Sequence, residues 1–127
     1  WNFETTEIPD VKNAKNLSPD LLKKEEGKLF LNLTENSDHI ILLDEKGKQF
    51  TSREFAAKID NWMNSSIKKV SFFIGGAYGF SEEIYQRANE KIDLSKMTFT
   101  HQIIRLFFVE QIYRADQILQ GKPYHND

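Results

Sequence analysis

Three glycines stand where a ligand-binding turn would be expected. Gly75, Gly76 and Gly79 follow the apolar run 70–74, and glycine lets a backbone approach a bound molecule closely. The cluster has neither the GxGxxG spacing of dinucleotide sites nor the GxxxxGKS or GxxxxGKT spacing of phosphate-binding loops. It therefore indicates either a binding turn of another kind or a tight turn with no ligand.

The last third of the chain carries side chains that can handle protons or bind phosphate. The charge of His101 changes near neutral pH, as a proton carrier requires, although a lone histidine at a helix start is more often only a first-turn residue. Arg105 and Arg114 stand in an otherwise apolar segment. They predict either a phosphate-binding site or ion pairs with Glu110 or Asp116.

Other kinds of site are not indicated. The sequence has no cysteine, which excludes disulfides, thiol nucleophiles and iron–sulfur clusters, and without a metal-ligand spacing we expect no metal. The pairs Glu25-Glu26 and Glu82-Glu83 are adjacent along the chain rather than on one helical face. We expect them to be solvated or to favour helix N-termini. Tyr124-His125 is typical of a disordered tail.

Length and composition indicate one globular domain. The 127 residues are 39% hydrophobic and 28% charged, which is ordinary for such a domain. Apolar runs are far shorter than the roughly 20 residues of a bilayer span, so we expect no membrane segment and a cytoplasmic protein. The net charge of -2 argues against nucleic-acid binding by bulk electrostatics. Residues 95–127 are nevertheless slightly basic, with four Lys/Arg against three Asp/Glu.

Helix signals recur along the chain. Ser18-Pro19 is typical of a helix start, and the apolar positions that follow predict a helix over 19–34. Thr51 and Glu54 have the spacing of a capping box, which predicts a second helix. Ser81 caps a third.

Strand signals alternate with these helices. Compact apolar runs at 39–44 and 70–74 predict buried strands. A short strand is predicted at 92–94, and an edge strand at 1–8. The alternation indicates an α/β fold with a mostly parallel sheet flanked by helices.

A long final helix is predicted from 101 to 120. It is apolar almost all round, whereas a helix covered on one side only shows a single apolar stripe. A second side of this helix must therefore also be buried, and a partner subunit is the simplest way to bury it. We expect a homodimer.

Three loops should meet at one edge of this sheet. Open α/β sheets bind ligands at the carboxyl ends of their strands. The predicted strands end at Leu43-Asp44 and at Gly75, and the irregular stretch 94–99 follows the last one. These loops predict one shared pocket.

Five ordered blocks of the sequence resemble one known family. Residues 42–48, 73–80, 94–102, 110–115 and 123–125 are similar to the successive signature blocks of the RlmH-type ribosomal RNA large-subunit methyltransferases, a SPOUT-class family. The resemblance covers nearly the whole chain. It implies an α/β fold with a C-terminal trefoil knot, a homodimer, and binding of S-adenosyl-L-methionine. It also implies methylation of N3 of a pseudouridine in 23S rRNA, within the ribosome or its large subunit.

The resemblance also assigns roles to individual positions. The implied cofactor contacts are Leu43, Gly75, Leu94, Ser95, Lys96, Met97, Thr98 and Phe99. By motif position, the candidates that could take the N3 proton are His101, Tyr124 and His125. Charge, rather than the resemblance, makes Arg105, Arg114 and Lys122 the candidate RNA contacts. In a dimer, two copies of these residues and of Lys96, His101 and His125 could form one positive surface.

Two departures and two alternatives accompany this interpretation. The family's chains begin with a further strand and helix before the segment that matches Trp1, so 1–127 is interpreted as a single SPOUT domain lacking them. Thr100 stands where the family often has proline. One alternative is a catalytically inactive SPOUT-fold module that binds RNA or the ribosome. The other is a flavodoxin-like nucleotide binder.

Overall fold

A computed structural model describes residues 2–8, 10–76 and 78–127 and places helices on both faces of a three-stranded sheet. A short 3-10 turn at Ala14–Asn16 precedes the main elements. In chain order these are α1 (Pro19–Thr34), β1 (His39–Lys48), α2 (Ser52–Met63), β2 (Val70–Ile74), α3 (Glu82–Arg87), β3 (Glu90–Ile92) and α4 (His101–Leu119).

A hydroxyl side chain caps the start of each of the four α-helices. Ser18, Ser81 and Thr100 each accept a hydrogen bond from a backbone N–H three residues on. Thr51 and Glu54 form the complete capping box, since each side chain accepts from the backbone N–H of the other. The predicted helix starts are therefore confirmed, and Thr100 caps α4 where the resembling family often has proline.

The sheet has the order β2-β1-β3, with both strand pairs parallel. Side chains alternate along β1: Ile41 packs against α2 and α4 on one face, whereas Ile40 and Leu42 pack against α1 and α3 on the other. Two separate apolar cores result, as the α/β prediction requires.

Three predicted strands differ from the observed ones. β1 continues to Lys48, because Ile92 pairs with both Leu43 and Lys48 and the residues between them bulge out. β3 begins and ends two residues earlier than predicted. Residues 2–8 form no strand: those from 2 to 7 are all exposed, so no burial holds them against a sheet edge.

No helix within the described ranges is long and apolar enough to cross a membrane.

A partly buried ion-pair cluster joins α2 to both β1 and β3. The Glu90 carboxylate lies 2.6 Å from Lys58 Nζ and 2.6 Å from His39 Nε2. Burial opposes ionisation of Glu90, but the hydrogen bonds from Lys58 and His39 outweigh it and hold the pKa of Glu90 below its usual value. The cluster therefore stabilises the fold only while Glu90 is ionised.

Glu90→Gln should destabilise the protein by about 1–2 kcal/mol at neutral pH, because two donors lose a charged acceptor. Folding lowers the pKa of Glu90, so its contribution is fully present above the unfolded-state pKa. It is lost as the pH falls through the folded-state value. Urea unfolding at pH 7 and pH 3 measures the effect, with exposed Glu35→Gln as control. A wild-type advantage over Glu90→Gln that is equally large at pH 3 would contradict this account.

Candidate functional site

Strand register brings Leu43, the last β1 residue before the bulge, level with the ends of β2 and β3. Leu43 of β1 pairs with Ile74 of β2 on one side and with Ile92 of β3 on the other. Neighbouring strands lie about 4.8 Å apart, so the residues that follow these three emerge side by side. The structure thus brings Leu43, Gly75 and the segment leading to Leu94 to one edge, as predicted.

The glycine turn folds back on itself. Gly79 donates its N–H to the carbonyl of Gly76 at 3.1 Å, and its φ of 82° is a conformation that side chains disfavour. A Cβ on Gly75 would lie 3.3 Å from both the Gly79 carbonyl carbon and the Phe80 ring. The turn is therefore tight because of glycine, and it exposes backbone at the carboxyl edge.

Local hydrogen bonds shape the loop after β3. The Asp93 carboxylate accepts from the N–H of Ser95 at 3.2 Å, and the Ser95 hydroxyl accepts from the N–H of Met97 at 3.0 Å. Leu94 packs into the core between the sheet, α2 and α4. Met97 is 75% exposed. This loop therefore presents backbone and an uncovered apolar side chain.

The remaining residues of this loop also lie at its surface. Lys96 and Thr98 are exposed. Phe99 packs edge to face against Phe107 of α4, with ring centroids 5.0 Å apart. The loop is thus continuous with the apolar surface of α4.

The bulged part of β1 after Leu43 is fixed from both sides. The Tyr85 hydroxyl donates to Asp44; burial and this hydrogen bond raise the pKa of Tyr85 well above its usual value. Gly47 lies against β3, and a Cβ there would come within 2.5 Å of the Ile92 backbone nitrogen. The strand end beside Leu43 is therefore held by α3 and by β3.

Glu26 of α1 lies beside the glycine turn, a contact that the sequence analysis did not predict. Its carboxylate lies against the glycine turn, 2.5 Å from where a Gly76 Cβ would be. Burial raises the pKa of Glu26, the charge of His101 lowers it, and Asp10 raises it again. Spacing contained the signal, because Leu22, Glu26 and Phe30 fall four residues apart on one helical face.

Glu26 and His101 line one cavity of about 1150 Å³. It runs along β2 and also takes in Gly76 and Arg105. Arg105 lies 3.8 Å from Glu7, both of them exposed. Leu43 and the loop 94–99 do not line this cavity, so the cavity adjoins the row of strand ends rather than coinciding with it.

The last residues of the sequence, 124–127, form an ordered cluster against α4. Arg114 Nη2 lies 2.6 Å from Glu110 Oε1, and its guanidinium stacks 4.9 Å from the Tyr124 ring centroid. Tyr124 donates its hydroxyl to Glu110 at 3.1 Å, and Arg114 Nη1 lies 3.1 Å from His125 Nδ1. These contacts argue against the alternative of a disordered tail, and of the two possible ion pairs of Arg114 the one with Glu110 is present.

This cluster also reaches α2. Asp127 Oδ2 lies 2.7 Å from Arg53 Nε, and Asp127 Oδ1 lies 2.7 Å from His125 Nε2. The hydrogen bond from Arg114 holds the pKa of Glu110 below its usual value, and the bond to Glu110 raises the pKa of Tyr124. The cluster therefore favours an anionic Glu110 and a neutral phenol.

A single chain does not unite the three proton-handling candidates. His101 begins α4, whereas Arg114, which binds the Tyr124-His125 segment, lies 13 residues further along it. That separation is about 20 Å at 1.5 Å per residue. Lys122 is exposed at the far end and Arg105 lies near His101, so the candidate RNA contacts are divided in the same way.

Among the residues that the structure describes, no three His, Asp or Glu side chains are grouped so that they could hold a metal ion.

A sequence profile described as "Predicted SPOUT methyltransferase" matches residues 1–125. The chain belongs to the SPOUT methyltransferase family. A relative from Christiangramia forsetii is 55% identical to this SPOUT chain over 124 residues, 98% of the chain and 79% of that protein. One from Cytophaga hutchinsonii is 56% identical with the same coverage. Both relatives are named Ribosomal RNA large subunit methyltransferase H.

In this SPOUT chain, Arg114→Ala should release the segment from 122 to 127. The guanidinium makes charge-assisted bonds worth about 1.5–3 kcal/mol each, so amide hydrogen exchange there should accelerate about tenfold or more, while the first turns of α4 are unchanged. Arg105→Ala is the matched control on the same helix. Equal exchange in both variants would show that Arg114 does not hold the segment.

Proposed function

We propose that this chain methylates ribosomal RNA of the large subunit, with S-adenosyl-L-methionine as the methyl donor. One observation carries the proposal: Leu43 before the β1 bulge, Gly75 after β2 and the loop from Leu94 after β3 lie side by side at one edge of the parallel sheet. Family membership supplies the reaction class. The names of the relatives supply the substrate class. We take 1–127 as one SPOUT domain, and the trefoil knot stays a prediction.

The chemistry of this edge suits such a donor. S-adenosyl-L-methionine carries no phosphate, so its site needs backbone amides, carbonyls and apolar walls rather than a lysine-bearing loop. The tight turn at Gly75 offers backbone, and exposed Met97 offers an apolar wall. The residues that would hold the donor are Leu43, Gly75, Leu94, Ser95, Lys96, Met97, Thr98 and Phe99. When bound, it supplies an activated methyl group, and the protein positions the target nitrogen.

The finer substrate proposal is N3 of a pseudouridine in 23S rRNA. That nitrogen must lose a proton, for which His101, Tyr124 and His125 are the candidates. The proton-accepting role suits His101 better than Tyr124, because the bond to Glu110 raises the pKa of the phenol and so disfavours its anionic, basic form. A protein that works on the ribosome would be cytoplasmic.

Full-length protein should methylate large subunits or ribosomes more strongly than naked rRNA, because a net charge of -2 gives little sequence-independent affinity for RNA. Mass spectrometry of pseudouridine methylation in 23S rRNA from cells with and without the protein tests the substrate. Arg114→Ala, or a chain cut before Tyr124, should lose methylation while calorimetry still detects cofactor binding.

Two results separate this proposal from its rivals. Unchanged methylation in cells without the protein removes the substrate assignment. Absence of cofactor binding by the full-length protein favours the RNA- or ribosome-binding module without chemistry. A yellow, flavin-loaded preparation would instead favour the flavodoxin-like nucleotide binder.

We also propose a homodimer formed through α4. Large apolar side chains on this helix lie open to solvent in the single chain, where soluble monomers rarely tolerate such a patch. The exposed apolar residues of α4 are Ile103, Leu106, Phe107, Val109, Tyr113 and Leu119. A second copy that covers this surface could also bring its Tyr124-His125 segment towards His101, which one chain does not do.

The structure corrects the positions at which this dimer can be tested. Phe108 and Ile112 look like interface residues in the sequence, but they are only 4% and 6% exposed and belong to the core between the sheet, α2 and α4. A charge at either position would unfold the chain. Leu106, 68% exposed, is the suitable position.

Leu106→Glu should shift the protein from dimer to monomer, because a carboxylate would be desolvated at the interface, while the melting temperature of the monomer stays nearly unchanged. Analytical ultracentrifugation at micromolar concentration measures the shift, with Leu21→Glu, exposed on α1, as control. A wild-type protein that sediments as a stable monomer would remove the dimer proposal.

A further inference from the structure

His125 has a hydrogen-bond partner on each of its two ring nitrogens. Nδ1 lies 3.1 Å from Arg114 Nη1, and Nε2 lies 2.7 Å from Asp127 Oδ1. The imidazole side chain is only 15% exposed. While these two contacts last, neither nitrogen has a free lone pair with which to accept a proton from a substrate.

The two partners also fix which nitrogen of His125 carries the hydrogen. A guanidinium can only donate hydrogen bonds, and an ionised carboxylate can only accept them. The hydrogen bond from Arg53 holds the pKa of Asp127 below its usual value, so the Asp127 carboxylate is ionised at neutral pH. Nδ1 must therefore accept from Arg114, while Nε2–H donates to Asp127. A protonated ring would point an N–H group at the guanidinium, so the neutral ring is the form that fits.

Arg53 of α2 holds the far end of this series of contacts. Its Nε donates to the two Asp127 carboxylate oxygens, at 2.8 Å and 2.7 Å. Hydrogen bonds therefore run without a break from Arg53 through Asp127 and His125 to Arg114. Arg53 and Asp127 are both more than half exposed, where an ion pair contributes little to stability. We expect them to affect the position of Arg114 rather than the stability of the fold.

Arg114 keeps hydrogen-bond donors for a ligand after these contacts are made. Its Nε and one N–H of Nη2 face Glu110, and one N–H of Nη1 faces His125. The second N–H of each Nη nitrogen has no partner among the residues that the structure describes. Because Glu110 already neutralises the guanidinium, these two groups suit an uncharged oxygen, such as a base carbonyl, better than a phosphate.

We propose that His125 and Asp127 are positioning residues of the methyl-transfer site, which together direct the remaining N–H groups of Arg114 at a base carbonyl of the RNA substrate. This inference rests on the proposed function. His125 then serves as a hydrogen-bond bridge and not as the acceptor of the N3 proton. An aspartate holds an imidazole in one tautomer here, as in a catalytic triad, but the second ring nitrogen serves a guanidinium instead of a nucleophile.

The tautomer can be measured on the full-length protein without RNA or cofactor. ¹⁵N NMR distinguishes a ring nitrogen that carries a hydrogen from one that does not, and His125→Gln identifies the signals. At a pH where the ring is neutral, His125 of the wild type should carry its hydrogen on Nε2 alone. Asp127→Ala should give a mixture of both tautomers, whereas Asn126→Ala, at the exposed neighbouring position, should not.

Two results of this measurement overturn the proposal, whether or not the chain methylates rRNA. One is a hydrogen on Nδ1 of neutral His125 in the wild type. The other is the same tautomer population in wild type and in Asp127→Ala.

The second arm asks what the contacts do for the reaction. Asp127→Ala should lower kcat/KM for large ribosomal subunits severalfold, and Asp127→Glu should recover part of the loss because it keeps a carboxylate. Arg53→Ala should have an effect of similar size. The double variant should be no worse than either single one, because residues that act through each other are not additive. Cofactor affinity and melting temperature should stay close to wild type.

A pair of substitutions at His125 separates the bridge from a proton acceptor. His125→Asn keeps an oxygen that can accept from Arg114 near the position of Nδ1, but it cannot take up a proton. It should retain more methylation activity than His125→Ala. Equal loss in both variants would overturn the bridging role. So would effects of Arg53→Ala and Asp127→Ala that add fully, because the two residues would then act independently.

Discussion

The parallel register of three short strands determines the rest of this structure. Leu43 is paired on both sides, with Ile74 and with Ile92, so three chain segments distant in sequence leave the sheet at one edge. Neither the glycine turn nor the loop 94–99 could form a site alone, since each offers only a few backbone groups and little burial. Strand pairing makes them neighbours, and the two cores on either face of the sheet keep them there.

Helix α4 serves two purposes that compete for its side chains. Phe108, Ile112 and Ala115 complete the core of the single chain, while a second stripe from Ile103 to Tyr113 stays uncovered. Between the stripes stands Arg114, whose charge is neutralised by Glu110 and covered by Tyr124. Arg114 therefore orders the last residues of the sequence. Because its guanidinium is already paired with Glu110, it is less available to bind phosphate.

Local signals in the sequence were enough to predict the helices and the sheet edge at which the candidate site lies. Ser18, Thr51 and Ser81 act within a few residues of themselves, so their capping roles can be predicted from spacing alone. Long-range contacts escaped prediction. The bulge in β1 depends on Gly47 meeting Ile92, and the ordered tail depends on Asp127 reaching Arg53. Glu26 was interpreted as solvated or as favouring a helix N-terminus, because its neighbour Gly76 is remote in sequence.

The double pairing of Ile92 also has a consequence for how the chain assembles. β3 contributes only three residues to the sheet, and its contacts with β1 join positions far apart in sequence, as in the pairing of Ile41 with Glu90, which spans 49 residues. Contacts of such separation form slowly, because a long loop must close first. β1, α2 and β2 can associate beforehand as a local unit. We therefore expect the loop that follows β3 to be among the last parts to be ordered.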